Sequence, residues 1–178
     1  MKKALLIIVF TLLIFQMVVL ATAIDMGNAA IDRASSGGSY TFIDLANPSD
    51  GNGKLTSVEI WCATDLANCE VATFFNVSGS NYSTRDTHSI GAVTAGSKQT
   101  FSDLDIEVQS GDFIGIYFTA GSIEIRTSAL TNLYYLAGDN IPCTNETFAL
   151  WGTENGMSVY ATGATVEVGT DALFWLNF

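Results

Sequence analysis

The sequence predicts an all-β protein, an antiparallel β-sandwich of jelly-roll type with about ten to twelve short strands. Apolar and polar residues alternate in many short segments, which is the period-two pattern of half-buried strands. Clusters of Gly, Asn, Asp and Ser separate these segments at intervals of about 8–12 residues. Beyond the N-terminal segment, no stretch has the apolar spacing of an amphipathic helix of useful length.

Residues 104–118 carry the clearest pattern. Leu104, Ile106 and Val108 alternate with two acids and an amide, and a turn sequence, Ser-Gly-Asp, follows at 110–112. The alternation then resumes through residues 114–118. These residues predict a hairpin whose two strands contribute to one shared core.

Similar patterns predict further strands, with a turn region at 46–54 and a polar loop at 78–86. The predicted strands lie at residues 40–45, 55–62, 69–77, 88–93, 99–101, 123–126, 133–137, 147–151, 157–161, 165–168 and 173–178.

The N-terminal segment, residues 1–23, is predicted to be a helical secretory signal peptide. Lys2 and Lys3 precede an apolar run that ends at Leu20, and Ala-Thr-Ala at 21–23 supplies the small residues of a cleavage site. The alternative is a retained membrane anchor, because the run is about long enough to span a bilayer. Cleavage after Ala23 leaves one domain, residues 24–178, which we expect to be secreted, extracellular or on the cell surface.

The chain carries a formal net charge of −11. Nucleic acids and anionic membranes are bound by clustered Lys and Arg, so we expect neither as a partner, and no membrane contact once the signal peptide is removed. The acidic residues are scattered, which is typical of a solvated surface.

The cysteines, Cys62, Cys69 and Cys143, predict one disulfide in an oxidising compartment, with one cysteine left over. Cys62 with Cys69 would bracket residues 63–68, whereas Cys69 with Cys143 would join distant strands. The sequence does not choose between these pairings. With a single histidine and no Cys-x-x-Cys spacing, no metal site and no cofactor are expected.

Three stretches carry a family resemblance. They are residues 56–61 (Thr-Ser-Val-Glu-Ile-Trp), 94–101 (Thr-Ala-Gly-Ser-Lys-Gln-Thr-Phe) and 108–117 (Val-Gln-Ser-Gly-Asp-Phe-Ile-Gly-Ile-Tyr). Together they resemble exported β-sandwich modules, jelly-roll-like and of phage or metagenome origin, over most of residues 24–161. The resemblance implies the fold and an exported module, and it implies no activity and no site residues.

Catalytic constellations are weak, and we expect no enzyme. His88, with Asp86 and Ser89 nearby, lacks the Gly-x-Ser-x-Gly elbow of a hydrolase. Paired carboxylates for glycoside hydrolysis could come from the acidic side of the strand at 103–107, but a half-exposed strand also needs such acids. Residues 50–53, Asp-Gly-Asn-Gly, match only part of a calcium loop.

Aromatic residues are the most suggestive binding feature. Flat aromatic faces with polar rims suit sugar rings. The candidates for ligand binding are Trp61, Tyr134, Tyr135 and Trp151, with Trp61 the best single choice because it lies opposite Val58 and Ile60 in strand parity. Filling of the core is the competing explanation for these residues.

Three N-glycosylation sequons are also present: Asn-Val-Ser at 76–78, Asn-Tyr-Ser at 81–83 and Asn-Glu-Thr at 145–147. They matter only in a host that glycosylates exported proteins.

The sequence thus predicts a non-catalytic module for binding or surface interaction, with a carbohydrate or cell-envelope ligand. One alternative is a self-assembling surface or filament subunit that exchanges residues 24–33 or 171–178 as a strand. The other is a glycan-active hydrolase.

Overall fold

The computed structural model describes residues 21–127, 132–151 and 154–165. The predicted all-β class is confirmed: these residues form antiparallel sheets and contain no helix. The strands lie in one unit, Thr22–Val166. They are β1 Ala23–Gly27, β2 Ser35–Gly37, β3 Tyr40–Asp44, β4 Gly53–Ile60, β5 Cys62–Ser78, β6 Asn81–Val93, β7 Gln99–Val108, β8 Phe113–Tyr117, β9 Ala120–Thr127, β10 Leu133–Ala137, β11 Glu146–Thr147, β12 Ala149–Leu150, β13 Glu154–Met157 and β14 Val159–Thr165.

The strands form two sheets. The smaller sheet has the order β1-β14-β4-β7. The larger sheet has the order β11-β6-β5-β8-β3-β10-β12, and β9 extends it by pairing with β5, β13 and β2. The predicted signal peptide lies outside the described residues up to position 20, as do the strands predicted at 165–168 and 173–178 beyond Thr165.

The predicted hairpin at 104–118 is wrong in its pairing, although both of its strands exist. β7 pairs with β4 in the smaller sheet, whereas β8 pairs with β3 and β5 in the larger one. The segment between them therefore connects the two sheets. Its turn chemistry is as expected: the amide of Asp112 donates to the carbonyl of Gln109 at 2.9 Å, and Gly111 has φ +90°.

The polar loop predicted at 78–86 is also wrong. β5 and β6 form one long hairpin, in which only residues 79–80 lie between the strands. Residues 63–68, which lie between the strands predicted at 55–62 and 69–77, belong to β5. Several register shifts interrupt the β5–β6 ladder, among them one between Thr73 and Phe74. Each shift changes which face a residue occupies, so the polar and apolar residues do not alternate simply along this hairpin.

A main hydrophobic core contains residues from both sheets. β4 contributes Leu55, Val58 and Ile60, and β7 contributes Leu104, Ile106 and Val108 from the smaller sheet. The larger sheet supplies alternate residues of its central strands, namely Phe42, Cys69, Val71, Ile114, Ile116 and Leu133. The alternation predicted from Leu104 to Val108 is therefore confirmed: Asp103, Asp105 and Glu107 are exposed, whereas Leu104, Ile106 and Val108 are buried.

A second, smaller cluster covers the opposite face of the larger sheet. On β5, Cys69 and Val71 point into the main core, whereas Ala72 and Phe74 belong to this outer cluster. Residues 141–148 lie over it, and Phe148 packs edge-on against Phe74 with ring centroids 5.9 Å apart. The full set of buried members is Ile43, Ala72, Phe74, Tyr82, Ile141 and Phe148.

Within the described ranges, the chain has no helix that is both long and apolar enough to cross a bilayer.

Candidate aromatic binding site

Four aromatic rings meet at the edge of the main core: those of Tyr40, Phe42, Tyr135 and Trp151. We call these four residues the aromatic cluster. The Trp151 ring centroid lies 4.8 Å from that of Tyr135, 5.3 Å from that of Tyr40 and 5.2 Å from that of Phe42. Tyr40 and Tyr135 are 5.3 Å apart with an interplanar angle of 85°. These separations are within the range of favourable edge-to-face contacts.

The strand register brings these residues together. β10 pairs with β3 so that Tyr135 lies opposite Phe42 and Ala137 lies opposite Tyr40. Tyr40 is therefore the diagonal neighbour of Tyr135 on the same face of the sheet. The backbone amide of Trp151 donates to the carbonyl of Leu133 at 2.8 Å, which holds the backbone of Trp151 beside β10.

Burial differs between the rings of the aromatic cluster. Phe42 is completely buried, whereas Tyr40, Tyr135 and Trp151 are half-buried and pack against the edge of the core. An aromatic side chain has only two rotatable bonds, and here neighbouring rings hold them, so the rings have little conformational entropy left to lose. Two phenol groups and an indole N–H supply polar edges to this apolar surface.

The structure brings together two of the four predicted ligand-binding residues, Tyr135 and Trp151. Tyr134 faces the other side of the sheet, because neighbouring residues of a strand point in opposite directions. There it packs against the outer cluster, 5.9 Å from Tyr82. Sequence reasoning missed Tyr40, although its period-two spacing from Phe42 on a predicted strand was a usable signal.

Trp61 lies apart from the aromatic cluster, at the corner between β4 and β5. Its backbone amide donates to the carbonyl of Ser158 at 3.0 Å, and its carbonyl accepts from the amide of Glu124 at 3.3 Å. Its side chain is half-buried. No ring contact joins Trp61 to another aromatic residue in the described part of the chain.

Two of the carboxylates considered for catalysis, Asp86 and Asp105, have structural partners. Asp86 accepts from the amides of Thr87 and Glu107 at 2.9 and 2.7 Å, so both of its oxygens bond backbone. Asp105 forms an ion pair with Lys54 at 3.0 Å. His88 is half-buried in the middle of β6, directly opposite Val71 of β5.

Asp44 and Glu124 are buried carboxyl residues that accept hydrogen bonds from N–H donors. Asp44 accepts from the amides of Ala46 and Met157, each at 2.9 Å, and from the side-chain amide of Asn28 at 2.6 Å. Glu124 accepts from the backbone amide of Arg33 at 3.1 Å. Burial raises the pKa of both carboxyl groups above its ordinary value, and the N–H donors oppose that rise.

The expected disulfide is not formed, because all three cysteines are free thiols. Cys143 belongs to the outer cluster, whereas Cys62 and Cys69 lie in the main core on the other face of the sheet. This separation prevents the pairing of Cys143 with Cys69. Burial raises the pKa of all three thiols, most strongly that of Cys69, and thereby disfavours the reactive thiolate.

The partial calcium motif at 50–53 is used within the fold. Asp50 accepts from the amide of Asp25 at 3.3 Å, and the side-chain oxygen of Asn52 accepts from the amide of Ser110 at 2.8 Å. Among the described residues, no group of three or more His, Cys, Asp or Glu side chains is placed to hold a metal ion.

Comparison with known proteins gives no match for this chain: none among the protein-family models, none among the curated proteins and none among the solved structures.

Proposed function

We propose that this chain is an exported, non-catalytic β-sandwich module of jelly-roll type that binds carbohydrate, such as a glycan of a cell envelope, through Tyr40, Tyr135 and Trp151. The observation that carries the proposal is the meeting of three half-buried rings at one rim, with centroids no more than 5.3 Å apart. The sandwich assignment is supported by the main core, to which both sheets contribute alternate residues.

Sugar rings have an apolar face and a polar perimeter. The exposed parts of the aromatic cluster offer an apolar surface to the apolar face of a sugar. The tyrosine hydroxyls and the indole N–H offer hydrogen-bonding groups to its polar perimeter. The edge-to-face packing holds the rings in place before the ligand arrives, which lowers the entropic cost of binding.

The non-catalytic part of the proposal is supported by the partners of the acidic residues. Asp112 is bound by Arg85, Asp44 by three N–H donors, and Asp86 by two backbone amides. General acid–base catalysis needs a carboxyl group that can reach the reacting atom. Carboxyl groups engaged in this way stabilise the fold instead.

The test is a glycan array followed by titration of the best ligand by isothermal titration calorimetry. We expect Trp151→Ala to weaken binding about tenfold or more, because removal of a central aromatic contact typically costs more than about 1.4 kcal/mol. Trp151→Phe should retain part of the affinity.

Trp61→Ala is the matched control, since Trp61 is also half-buried but lies outside the aromatic cluster. It should leave the affinity unchanged, provided that circular dichroism shows the folded protein. A loss of binding with Trp61→Ala and none with Trp151→Ala would refute the assigned site. A silent array with folded protein would refute carbohydrate binding itself.

A further inference from the structure

The three sequons, separated by up to 69 positions in the sequence, converge at one end of the β5–β6 hairpin. The side-chain amide of Asn76 donates to the carbonyl of Asn81 at 3.2 Å. The side-chain amide of Asn81 in turn donates to the side-chain oxygen of Asn145 at 3.2 Å. These two hydrogen bonds connect all three sequons through their asparagines.

The Asn76 sequon is open, by which we mean that all three of its residues are exposed to solvent. Asn76, Val77 and Ser78 are all exposed, and the chain turns at once through Gly79, which has φ +54°. Val77 is 46% exposed, so the sequon lies at the surface along its whole length. A large polar modification at Asn76 would therefore displace no buried group.

The Asn145 sequon is open in the same sense. Asn145, Glu146 and Thr147 are all exposed. Glu146 and Thr147 form β11, a strand of only two residues at the edge of the larger sheet. So short an edge strand can separate from β6 at little cost, which lets a transferase reach the Asn145 amide.

The Asn81 sequon is closed. The side-chain oxygen of Asn81 accepts from the Thr147 hydroxyl at 2.8 Å, and the side-chain amide of Asn81 donates to the side-chain oxygen of Asn145. Its third residue, Ser83, is 6% exposed, and the Ser83 hydroxyl accepts from the amide of Asn145 at 2.8 Å. A transferase must reach the third residue of a sequon as well as its asparagine, and the burial of Tyr82 and Ser83 in the β5–β6 hairpin blocks this one. The side-chain contacts of Asn145 and Thr147, in contrast, lie among exposed residues.

We propose that Asn76 and Asn145 are N-glycosylation sites and that Asn81 is not. The donor is a polyprenyl-diphosphate-linked oligosaccharide. The side-chain nitrogen of the asparagine forms a bond to the anomeric carbon of the sugar as the bond from that carbon to the diphosphate oxygen breaks. The amide loses one proton to a base, and the polyprenyl diphosphate leaves with the bonding electrons.

Glycosylation here has a structural consequence. β11 is the edge strand of the larger sheet, where unpaired backbone groups can bind the edge of another molecule. A glycan on Asn145, one residue before β11, would prevent such pairing. A glycan on Asn76 would cover the exposed Val77.

The proposal rests on export, which is part of the function proposed above, so the experiment separates the two. The full chain is expressed in a glycosylating eukaryotic secretory host, once with its own N-terminus and once behind the host's leader. Secreted protein is analysed by intact mass and by peptide mapping after enzymatic removal of N-glycans in heavy-oxygen water, which marks each former acceptor as a labelled aspartate.

We expect two glycans on the wild-type chain, one on Asn76→Gln and one on Asn145→Gln, and none on the double variant. Asn81→Gln is the matched control and should keep both glycans. Secreted, folded protein without glycans, or with a glycan on Asn81 alone, would overturn the proposal. Glycosylation that occurs only behind the host's leader would uphold it and count against export by residues 1–23.

Discussion

Arg85 and Asp112 join the long hairpin to the connection between the two sheets. Nη2 of Arg85 donates to Oδ1 of Asp112 at 2.9 Å, and Nε donates to Oδ2, so the pair is bidentate. The guanidinium also lies over the ring of Phe75, 5.0 Å from its centroid. Oδ2 of Asp112 accepts in addition from the amide of Gln109 at 2.8 Å, so one carboxylate holds both β6 and the turn. The side chain of Asp112 is only 3% exposed.

Replacement of Arg85 should therefore destabilise the protein strongly. Arg85→Met leaves the Asp112 carboxylate buried without its cation, which typically costs about 3–5 kcal/mol. Urea denaturation monitored by tryptophan fluorescence measures the loss. Arg85→Met with Asp112→Asn should lose less than the single variant, because Asn still accepts from Gln109 and carries no charge. Equal losses in both variants would show that the ion pair contributes nothing specific.

A close backbone approach in the smaller sheet makes Gly163 irreplaceable. A methyl carbon added at Gly163 would lie 1.9 Å from the carbonyl oxygen of Lys54, at the irregular register between β14 and β4. Because backbone cannot move aside cheaply, we expect Gly163→Ala to lower the free energy of unfolding by about 2 kcal/mol or more. Gly38→Ala, where an added carbon meets nothing within 4 Å, is the control and should change stability by no more than about 0.5 kcal/mol. Similar melting temperatures for the two variants would contradict this prediction.

Local patterns predicted strands well and their partners poorly. The strand predicted at 133–137 is confirmed as β10, and the alternation from Leu104 to Val108 correctly assigns the buried face of β7. Whether β7 pairs with β8 or with β4 depends on the path of the turn at 109–112. Both pairings bury the same face of β7, so the alternation cannot distinguish them.

The sequence predicted two members of the aromatic cluster, and it missed Tyr40 because strand pairing brings that residue to the site. Tyr135 and Trp151 could be named as exposed candidates, but their contact with Tyr40 depends on the register that sets Tyr135 opposite Phe42. Trp61 was chosen because it alternates with Val58 and Ile60 along one predicted strand. That alternation could not show that Trp61 lies at a corner between the two sheets. The register is a long-range property, and a sequence pattern contains it only indirectly.

The stability of the protein should depend on pH through Glu70. Burial first, and repulsion from Asp139 second, raise the pKa of Glu70 above its ordinary value of 4.5. The folded state then holds the proton more tightly than the unfolded state, so the contribution of Glu70 to stability is complete below pH 4.5 and is lost as the pH rises through the folded pKa.

Glu70→Gln removes this titration. We expect the variant to gain stability relative to the wild type as the pH rises above 4.5, by less than about 1 kcal/mol because Glu70 is partly exposed. Urea midpoints across the pH range measure the difference. Asp139→Asn should give a smaller change in the same direction, since it removes only the second cause. A difference between Glu70→Gln and the wild type that does not vary with pH would contradict the assignment.

The thiols should differ in reactivity according to the cluster they occupy. Cys143 is half-buried in the outer cluster, where its sulfur lies 3.8 Å from the carbonyl oxygen of Tyr82, whereas Cys62 and Cys69 are at most 1% exposed in the main core. Burial raises the pKa of each thiol, so none reacts as fast as an exposed cysteine. We expect a disulfide reagent to modify Cys143 first in the native protein, and Cys62 and Cys69 only at the rate of unfolding.

Peptide mapping by mass spectrometry at increasing denaturant follows the three sites, and Cys143→Ser should abolish the early modification alone. Early modification of Cys69 in native conditions would mean that the main core opens locally between β5 and β6.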